Sequence, residues 1–382
     1  MNPFSFSVPQ NIHFGRGSLD EIPGLVKKMN VSGAFIVSGP HLKKSGLVQK
    51  VSEKLKAAGV STAEFTETEG NPSTDTVEKA TDAFKESGAD LIVAFGGGSP
   101  LDVAKAVTVT GTYGGKITDY EGVGKVPGPV TGMLAIPTTA GTGSEVTSFS
   151  VITDHSRDYK LTVGSTYLLP EAVILDPELI TTVPEKTAAY CGVDAMVHAL
   201  ESYISLAASP FSDMCALKAL ELLGKNIRKY VGNRANIEAA EGMLLGSLFA
   251  GIAFSHARLG DVHAMSHPVS AFFDVPHGLA NAVILPVVVE FNKLAADEKY
   301  YAIYKRIAQS PLPEDGFLPE MLPDELRLLN ASLGIPDSLI AVGVKEEKIE
   351  DMARDAMKSG NIAVNPRSTT LEDIISLYKK AL

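Results

Sequence analysis

Four short apolar runs, GAFIVS (33–38), DLIVAF (90–95), MLAIP (133–137) and AVILD (172–176), set the strongest limit on what this chain can fold into. They lack polar alternation, so both faces of each must be buried, as in strands inside a parallel sheet. Parallel neighbours need crossover connections, and helical stretches lie between the runs. LVQKVSEKLKAAG (47–59) puts Val51, Leu55 and Ala58 on one face; TVEKATDAFKESG (76–88) does the same with Val77, Ala80 and Phe84. Each stops at a glycine, which suits a helix C-terminus. Strand alternating with helix predicts an open α/β sheet. One stretch departs from that pattern: SFSVITDHSRDYKLTVGS (148–165) sets two β-rich arms around a polar turn, Asp154 to Asp158, and reads as a hairpin.

Past Pro184 the period changes. PEKTAAYCGVDAMVHALESYIS and DMCALKALELLGKNIRKYV read as helices, the second with Leu217, Leu220, Leu223 and Ile227 three or four apart, and strand signals almost vanish. The fold class expected is therefore an α/β N-terminal domain with a parallel sheet, residues 1–183, followed by an all-α C-terminal domain, residues 184–382. A length of 382 residues accommodates two domains.

The net charge of −11 argues against nucleic acid, which needs a basic footprint, and against an anionic membrane surface. No run of about 18 apolar residues stands out as a membrane span. The N-terminal stretch MNPFSFSVPQNIHFGRGSL lacks a basic patch followed by an apolar run, so no signal peptide is expected. Two cysteines, Cys191 and Cys215, make no disulfide framework and fit a reducing cytoplasm. No G-x-S-x-G elbow marks a serine nucleophile, and neither cysteine has an activating histidine nearby in sequence.

LIVAFGGGSPLDVAKAV (91–107) reads as strand, three glycines and helix. Gly96, Gly97 and Gly98 admit positive φ and close approach of a phosphate, with helix N-terminal amides facing the anion. Ser99 is the expected cap and Pro100 suits the first turn. The pattern is neither G-x-G-x-x-G nor a Walker loop. IPTTAGTGSEVTS (136–148) adds a second turn, where Thr138, Thr139, Thr142 and Ser144 offer hydroxyls either to a ligand or to their own loop. Two such turns after parallel strands favour a dinucleotide.

Five of the eight histidines fall within residues 198–277. Asp194 and His198 are four apart on a helical stretch, and so are His263 and His267. Pro276 breaks the chain before His277, which opens another helix. One carboxylate and several imidazoles without thiolate suit Fe2+ or Zn2+. His263 and His267 have the spacing of H-E-x-x-H, but Ala264 removes the general base of a metalloprotease.

Together FGRGSL, GGGSPLDVAK, PTTAGTGSE, DAMVHALESYIS and VHAMSHPVSAFFDVPHGLANAVILP resemble the iron-containing (group III) alcohol dehydrogenases over essentially the whole chain. The resemblance implies a dinucleotide-binding α/β domain, an all-helical metal-binding and substrate domain, and NAD(P)-dependent interconversion of a small primary alcohol and its aldehyde. Dehydroquinate synthase and glycerol dehydrogenase share that architecture, which keeps a polyol oxidoreductase as the alternative. It implies Asp194, His198, His263 and His277 as metal ligands, for Fe2+ with Zn2+ as the alternative, and His267 as a catalytic proton-relay residue beside them. Asn71, Gly97, Gly98, Ser99, Thr138, Thr139, Thr142 and Lys160 fall where the family contacts the dinucleotide. It also implies a homo-oligomer, expected as a dimer.

Two positions depart from the family pattern. Gly39 stands where many NAD-using relatives carry an Asp that meets the ribose 2′-OH. With His41, Lys43 and Lys44 near in sequence, this predicts that NADP is accepted and favoured over NAD. Arg258 replaces a usual Gly; pairing with Asp261 is expected, and reach toward an anionic aldehyde bearing carboxylate or sulfonate is the alternative. Phe254, Phe272 and Phe273 are candidates for the wall of the substrate site.

Overall fold

The computed structural model describes residues 4–8, 11–157 and 159–382. Residues 1–3 and 9–10 of the N-terminal stretch and Asp158 of the expected hairpin turn lie outside the described residues. The chain divides into two compact units, Val8–Thr139 with Ser144–Ile180, and Met1–Ser7 with Ala140–Gly143 and Thr181–Leu382.

The first unit runs β1 (Asn11–Phe14), α1 (Ile22–Met29), β2 (Gly33–Val37), α2 (Pro40–Lys44), α3 (Leu47–Ala57), β3 (Ser61–Phe65), α4 (Thr74–Ser87), β4 (Leu91–Gly96), α5 (Gly98–Tyr113), β5 (Gly122–Val123), β6 (Gly132–Pro137), β7 (Phe149–Asp154), β8 (Tyr159–Gly164) and β9 (Ala172–Leu175). Among the described residues the main sheet has the order β1-β9-β6-β4-β2-β3, and every pairing in it is parallel. The four apolar runs are four of its strands, inside the sheet. On one face Val26, Val48, Val51 and Leu55 pack with Ile36, Val93 and Leu134. On the other, Phe84 of α4 meets Phe35 edge-on at 5.5 Å. Full burial of such side chains contributes about 1.5–3 kcal/mol each, which is why the interiors of these runs are apolar and their polar residues stand at the ends.

β1 and β3 carry no continuous apolar run because they are the two edges of this sheet. Their residues are mostly half-buried or exposed, so the selection for apolar side chains that marks central strands is weaker there. The stretch 148–165 forms the expected antiparallel hairpin, with Ile152 opposite Leu161, and β5 joins β8 as a third, parallel strand.

The second unit contains α6 (Glu185–Ile204), α7 (Pro210–Gly232), α8 (Ile237–Ala257), α9 (Asp261–Phe273), α10 (His277–Ile307), α11 (Met321–Ser332), α12 (Ile349–Ala356) and α13 (Leu371–Ala381). Among the described residues it holds no strand. Helices α6, α7, α8 and α10 pack together as its core. By length and composition α8 and α10 both qualify as candidate membrane spans, unlike the reading of the bare sequence. Two-thirds (67%) of each apolar window is buried within the fold, which is the environment of core helices. The chain therefore joins an α/β unit with a parallel sheet to a helical C-terminal unit.

Candidate metal centre

Three helices of the second unit supply the site. The turn of α6 puts Asp194 and His198 on one face, four residues apart. α9 carries His263 and His267, and α10 begins at His277. Gly278 lets α10 come this close: a Cβ there would stand 2.4 Å from the Tyr190 carbonyl oxygen and 3.3 Å from Asp194 Cβ. Any side chain at 278 would push the first turn of α10, and His277 with it, away from α6.

Oδ1 of Asp194 is the hub. Nε2 of His198, of His263 and of His277 each lies 3.8 Å from it. The donor atoms of Asp194, His263 and His277 all fall within 4.8 Å of one another. The His198 ring stacks on that of His263, with centroids 4.7 Å apart. Asp194, His198 and His263 are buried, whereas the His277 side chain keeps 24% exposure, so this side of the cluster is its open side. His267 stands at the same side, its ring 5.3 Å from that of His277 and 6.2 Å from that of His263.

The donor set suits a divalent ion. Ligand atoms about 2.1 Å from a tetrahedral ion lie about 3.4 Å apart, so the three spacings of 3.8 Å from Asp194 need a few tenths of an ångström of contraction, while the group within 4.8 Å of one another comprises Asp194, His263 and His277, with His198 outside it. The lone pairs also point inward. Asn281, one turn beyond His277, places Nδ2 2.7 Å from Asp194 Oδ1 and 3.1 Å from Nε2 of both His263 and His277. A carboxylate oxygen accepts, so the amide nitrogen is the donor. Its two hydrogens are shared among Asp194, His263 and His277, so Nε2 of His263 and of His277 is placed to accept. Burial and the neighbouring His198 hold His263 well below the usual imidazole range, which keeps the ring neutral, as a ligand must be.

Glu201 lies behind His263. Its Oε2 is 2.6 Å from His263 Nδ1 and its Oε1 accepts from the Val262 amide at 2.7 Å. Burial raises its carboxyl to about 7, opposed by those backbone donors. Neither Glu201 nor Asn281 was picked out from sequence, although helical spacing held the signal: Glu201 is three residues after His198, and Asn281 four after His277.

Of the three phenylalanines, Phe254 stacks on His198 with centroids 4.5 Å apart, and Phe272 faces Lys348 at 5.8 Å. Arg258 does not pair with Asp261. Asp261 opens α9 fully buried and accepts from the Thr369 hydroxyl at 2.6 Å. Arg258 is exposed at the end of α8 with φ 62°, and no ion pair joins the two among the described residues. Three residues apart in sequence, they fall on opposite sides of a helix break.

In the α/β unit, β4 ends at Gly96, where φ is 155° and a Cβ would stand 2.6 Å from Pro100 Cγ. Gly97, not Ser99, is the cap of α5, and Gly98 is its first residue; Ser99 lies inside the first turn. With glycine at the cap, the cap residue itself offers no side chain to the first amides of α5, an arrangement that suits an anion. A Cβ on Gly97 would meet Thr139 Oγ1 at 3.2 Å, and the Thr138 amide donates to the Gly96 carbonyl at 2.8 Å, so the two turns are neighbours. Asn71, held at φ 53°, accepts from Lys160 Nζ at 2.8 Å. Gly39 caps α2, and Lys43, one of the cations near it, pairs with Glu64. Thr142 lies in the segment Ala140–Gly143, which clusters with the helical unit. Ser144 is committed elsewhere: its hydroxyl donates to Asp102 at 2.8 Å and accepts from buried Lys105 at 3.1 Å.

Known families and proteins match the chain along its length. The family described as iron-containing alcohol dehydrogenase matches residues 9–177, and the Fe-containing alcohol dehydrogenase family, C-terminal, matches residues 188–382. The chain is 36% identical over 379 residues to the NAD-dependent methanol dehydrogenase of Bacillus methanolicus, covering 99% of this chain and 100% of that one. It is 36% identical over 374 residues to the lactaldehyde reductase of Escherichia coli strain K12, covering 96% and 97%. A crystal structure of 1,3-propanediol oxidoreductase matches it with a TM-score of 0.95 at 34% identity, over 100% of both chains.

Proposed function

The chain belongs to the iron-containing alcohol dehydrogenase family, and from that premise we propose that it interconverts a small primary alcohol and its aldehyde by hydride transfer with a nicotinamide dinucleotide. The observation that carries this reading is that Nε2 of His198, of His263 and of His277 each lies 3.8 Å from Oδ1 of buried Asp194. These four residues are the proposed ligands, for iron with zinc as the alternative. The bound ion supplies Lewis-acid polarisation of the substrate oxygen, and the nicotinamide supplies or accepts the hydride.

The residues around them divide the remaining work. Asn281 holds the Asp194 carboxylate in place. His267 is the proposed proton relay, supported by its place at the open side of the cluster beside His277. Phe254, against His198, offers an apolar surface; such a wall separates neighbouring alkyl chains by only about 1–3 kcal/mol per methylene. In the α/β unit the amides at the start of α5 take the pyrophosphate, and Gly97, Gly98, Ser99, Thr138, Thr139, Asn71 and Lys160 line the dinucleotide, joined by Thr142 from the segment Ala140–Gly143. The division near residue 183 is then a division of labour, with the dinucleotide on the α/β unit and the metal on the helical one. A cytoplasmic homodimer completes the proposal.

NAD is the cofactor the family supports. That NADP is also accepted, and favoured, is supported by Gly39, which presents no carboxylate to a 2′-phosphate. Lys43 is occupied by Glu64, and His41 and Lys44 stand exposed beside it on α2. The expected result is a kcat/KM for NADPH at least equal to that for NADH; a strong NADH preference ends this part of the reading. The alternative substrate class, an anionic aldehyde, rests on the exposed Arg258. Arg258→Ala would then lose activity on carboxylate- or sulfonate-bearing aldehydes alone, and equal kinetics across neutral and anionic aldehydes would exclude it. Both follow from one cofactor-by-aldehyde matrix read at 340 nm, with glycerol included for the polyol alternative. Elemental analysis of anaerobically purified protein tests the whole scheme, since full activity in a metal-stripped sample contradicts it.

A further inference from the structure

We propose that Glu201 is a positioning residue that fixes the tautomer and the place of His263, and through it sets the metal affinity of the centre; this rests on the metal reading above. Glu201 shares α6 with Asp194 and His198, at spacings of seven and three residues, yet its carboxylate reaches the start of α9. There it does two things. Oε1 accepts from the Val262 amide at 2.7 Å, at the N-terminus of a helix that has no side-chain cap of its own. That end carries the positive pole of the helix dipole and unsatisfied amides, which suit a carboxylate. Oε2, 2.6 Å from Nδ1, holds the His263 ring. One carboxylate thus registers both the backbone and the side chain of α9 against the helix that bears two other ligands. Gly260 makes room for it: a Cβ there would stand 3.0 Å from Glu201 Oε1.

The tautomer follows from the contacts. Nε2 of His263 faces the Asn281 amide, whose nitrogen is identified by its 2.7 Å bond to Asp194 Oδ1. Nε2 therefore carries the lone pair, the hydrogen sits on Nδ1, and Nδ1 donates to Glu201. A metal-binding imidazole needs this state, and an acceptor behind it both selects the tautomer and raises its basicity.

Glutamine at 201 separates this role from bulk and reach. It keeps the shape but offers one acceptor where the carboxylate offers two. With its oxygen on the Val262 amide, its NH2 faces His263 Nδ1. The ring must then accept at Nδ1 and carry its hydrogen on Nε2, pointing at Asp194 and blocking the metal. In chelator-competition titrations of metal-stripped chain with Zn2+, Glu201→Gln is expected to raise Kd about 10- to 100-fold over wild type. A wild-type Kd in this variant overturns the proposal. A second measurement needs no variant of Glu201. In metal-free wild-type chain, long-range 1H–15N correlations of the histidines should show His263 protonated on Nδ1, with His263→Gln assigning the resonance; protonation on Nε2 overturns the proposal. Wild-type chain that takes up no stoichiometric Zn2+ refutes the metal reading itself, an outcome distinct from loss confined to Glu201→Gln.

Discussion

Asp194→Asn is expected to empty the metal centre and lower kcat/KM by about 10³-fold or more, because a Lewis acid contributes several kcal/mol to such a step. The substitution changes one atom and one charge. Asp194 Oδ1 stands 3.8 Å from Nε2 of His198, His263 and His277, so this carboxylate is the one anion in the proposed ligand set. An amide there keeps the volume but gives up the charge, and its N–H hydrogens face lone pairs already met by Asn281. The fold should survive. Asp194 is buried, and in the metal-free chain its charge is offset mainly by the 2.7 Å hydrogen bond from Asn281, so neutralising it is expected to leave metal-free stability within about 1 kcal/mol. What disappears is the stabilisation by metal, about 4 kcal/mol at a thousandfold excess over Kd. Elemental analysis, kcat/KM with a short aldehyde, and thermal melts with and without added metal read all three effects. One ion per chain with near wild-type turnover would contradict the ligand assignment.

The sequence carried the parts of this fold that periodicity encodes. Residues 33–38, 90–95, 133–137 and 172–176 announced central strands because burial on both faces leaves no polar alternation. β1 and β3 carried no such mark, since an edge strand is half-wetted and Ser61–Phe65 alternates like many loops. The helical turn placed Asp194 beside His198, but which of the two α9 histidines faces that pair is set by the packing of α9, α10 and α6, and spacing alone could not say. Local rules misled where tertiary structure changed the boundary of an element. Ser99 looked like a cap until Gly97 took that place. Arg258 and Asp261 looked like an ion pair until α9 began at Asp261 and turned it toward Thr369, 108 residues away. Charge in a sequence is cheap to notice and hard to pair, because partners are chosen by burial. Lys105 shows this most clearly, sitting in DVAKAV like any solvated lysine of a helix.

Lys105 is fully buried, and replacing it with methionine is expected to cost about 3–5 kcal/mol. Its ammonium donates to the carbonyls of Ser144, Thr147 and Phe149 at 2.6, 2.8 and 2.9 Å, with the Ser144 and Thr147 hydroxyls at 3.1 and 2.9 Å. Methionine fills the space but leaves these oxygens, and the buried carboxylates of Asp102 and Glu145, without their cation. The strip 144–149 follows the threonine turn, and α5 opens with Gly98 and Ser99, so Lys105 ties together two stretches beside the proposed dinucleotide contacts. Its loss should raise the Kd for NADH as well as lower the urea midpoint. The pH dependence identifies the cause. Burial lowers the lysine from its ordinary 10.5 to about 8, against the pull of Asp102 and Glu145. Between those values the unfolded chain holds a proton that the folded chain has released, so this group makes wild-type stability rise with pH from about 8 to 10.5, and its contribution levels off below 8, where both states hold the proton. The methionine variant lacks this term. Its deficit should widen by about 2 kcal/mol from pH 8 to pH 10, the two units of that window lying between folded and unfolded values. Glu145 and Asp102, raised by burial to about 7 and about 6, act in the opposite sense, with stability lost as pH rises through those values, and have finished titrating below this window. A deficit that stays constant from pH 8 to pH 10 would mean that Lys105 is not held as a buried, strained cation.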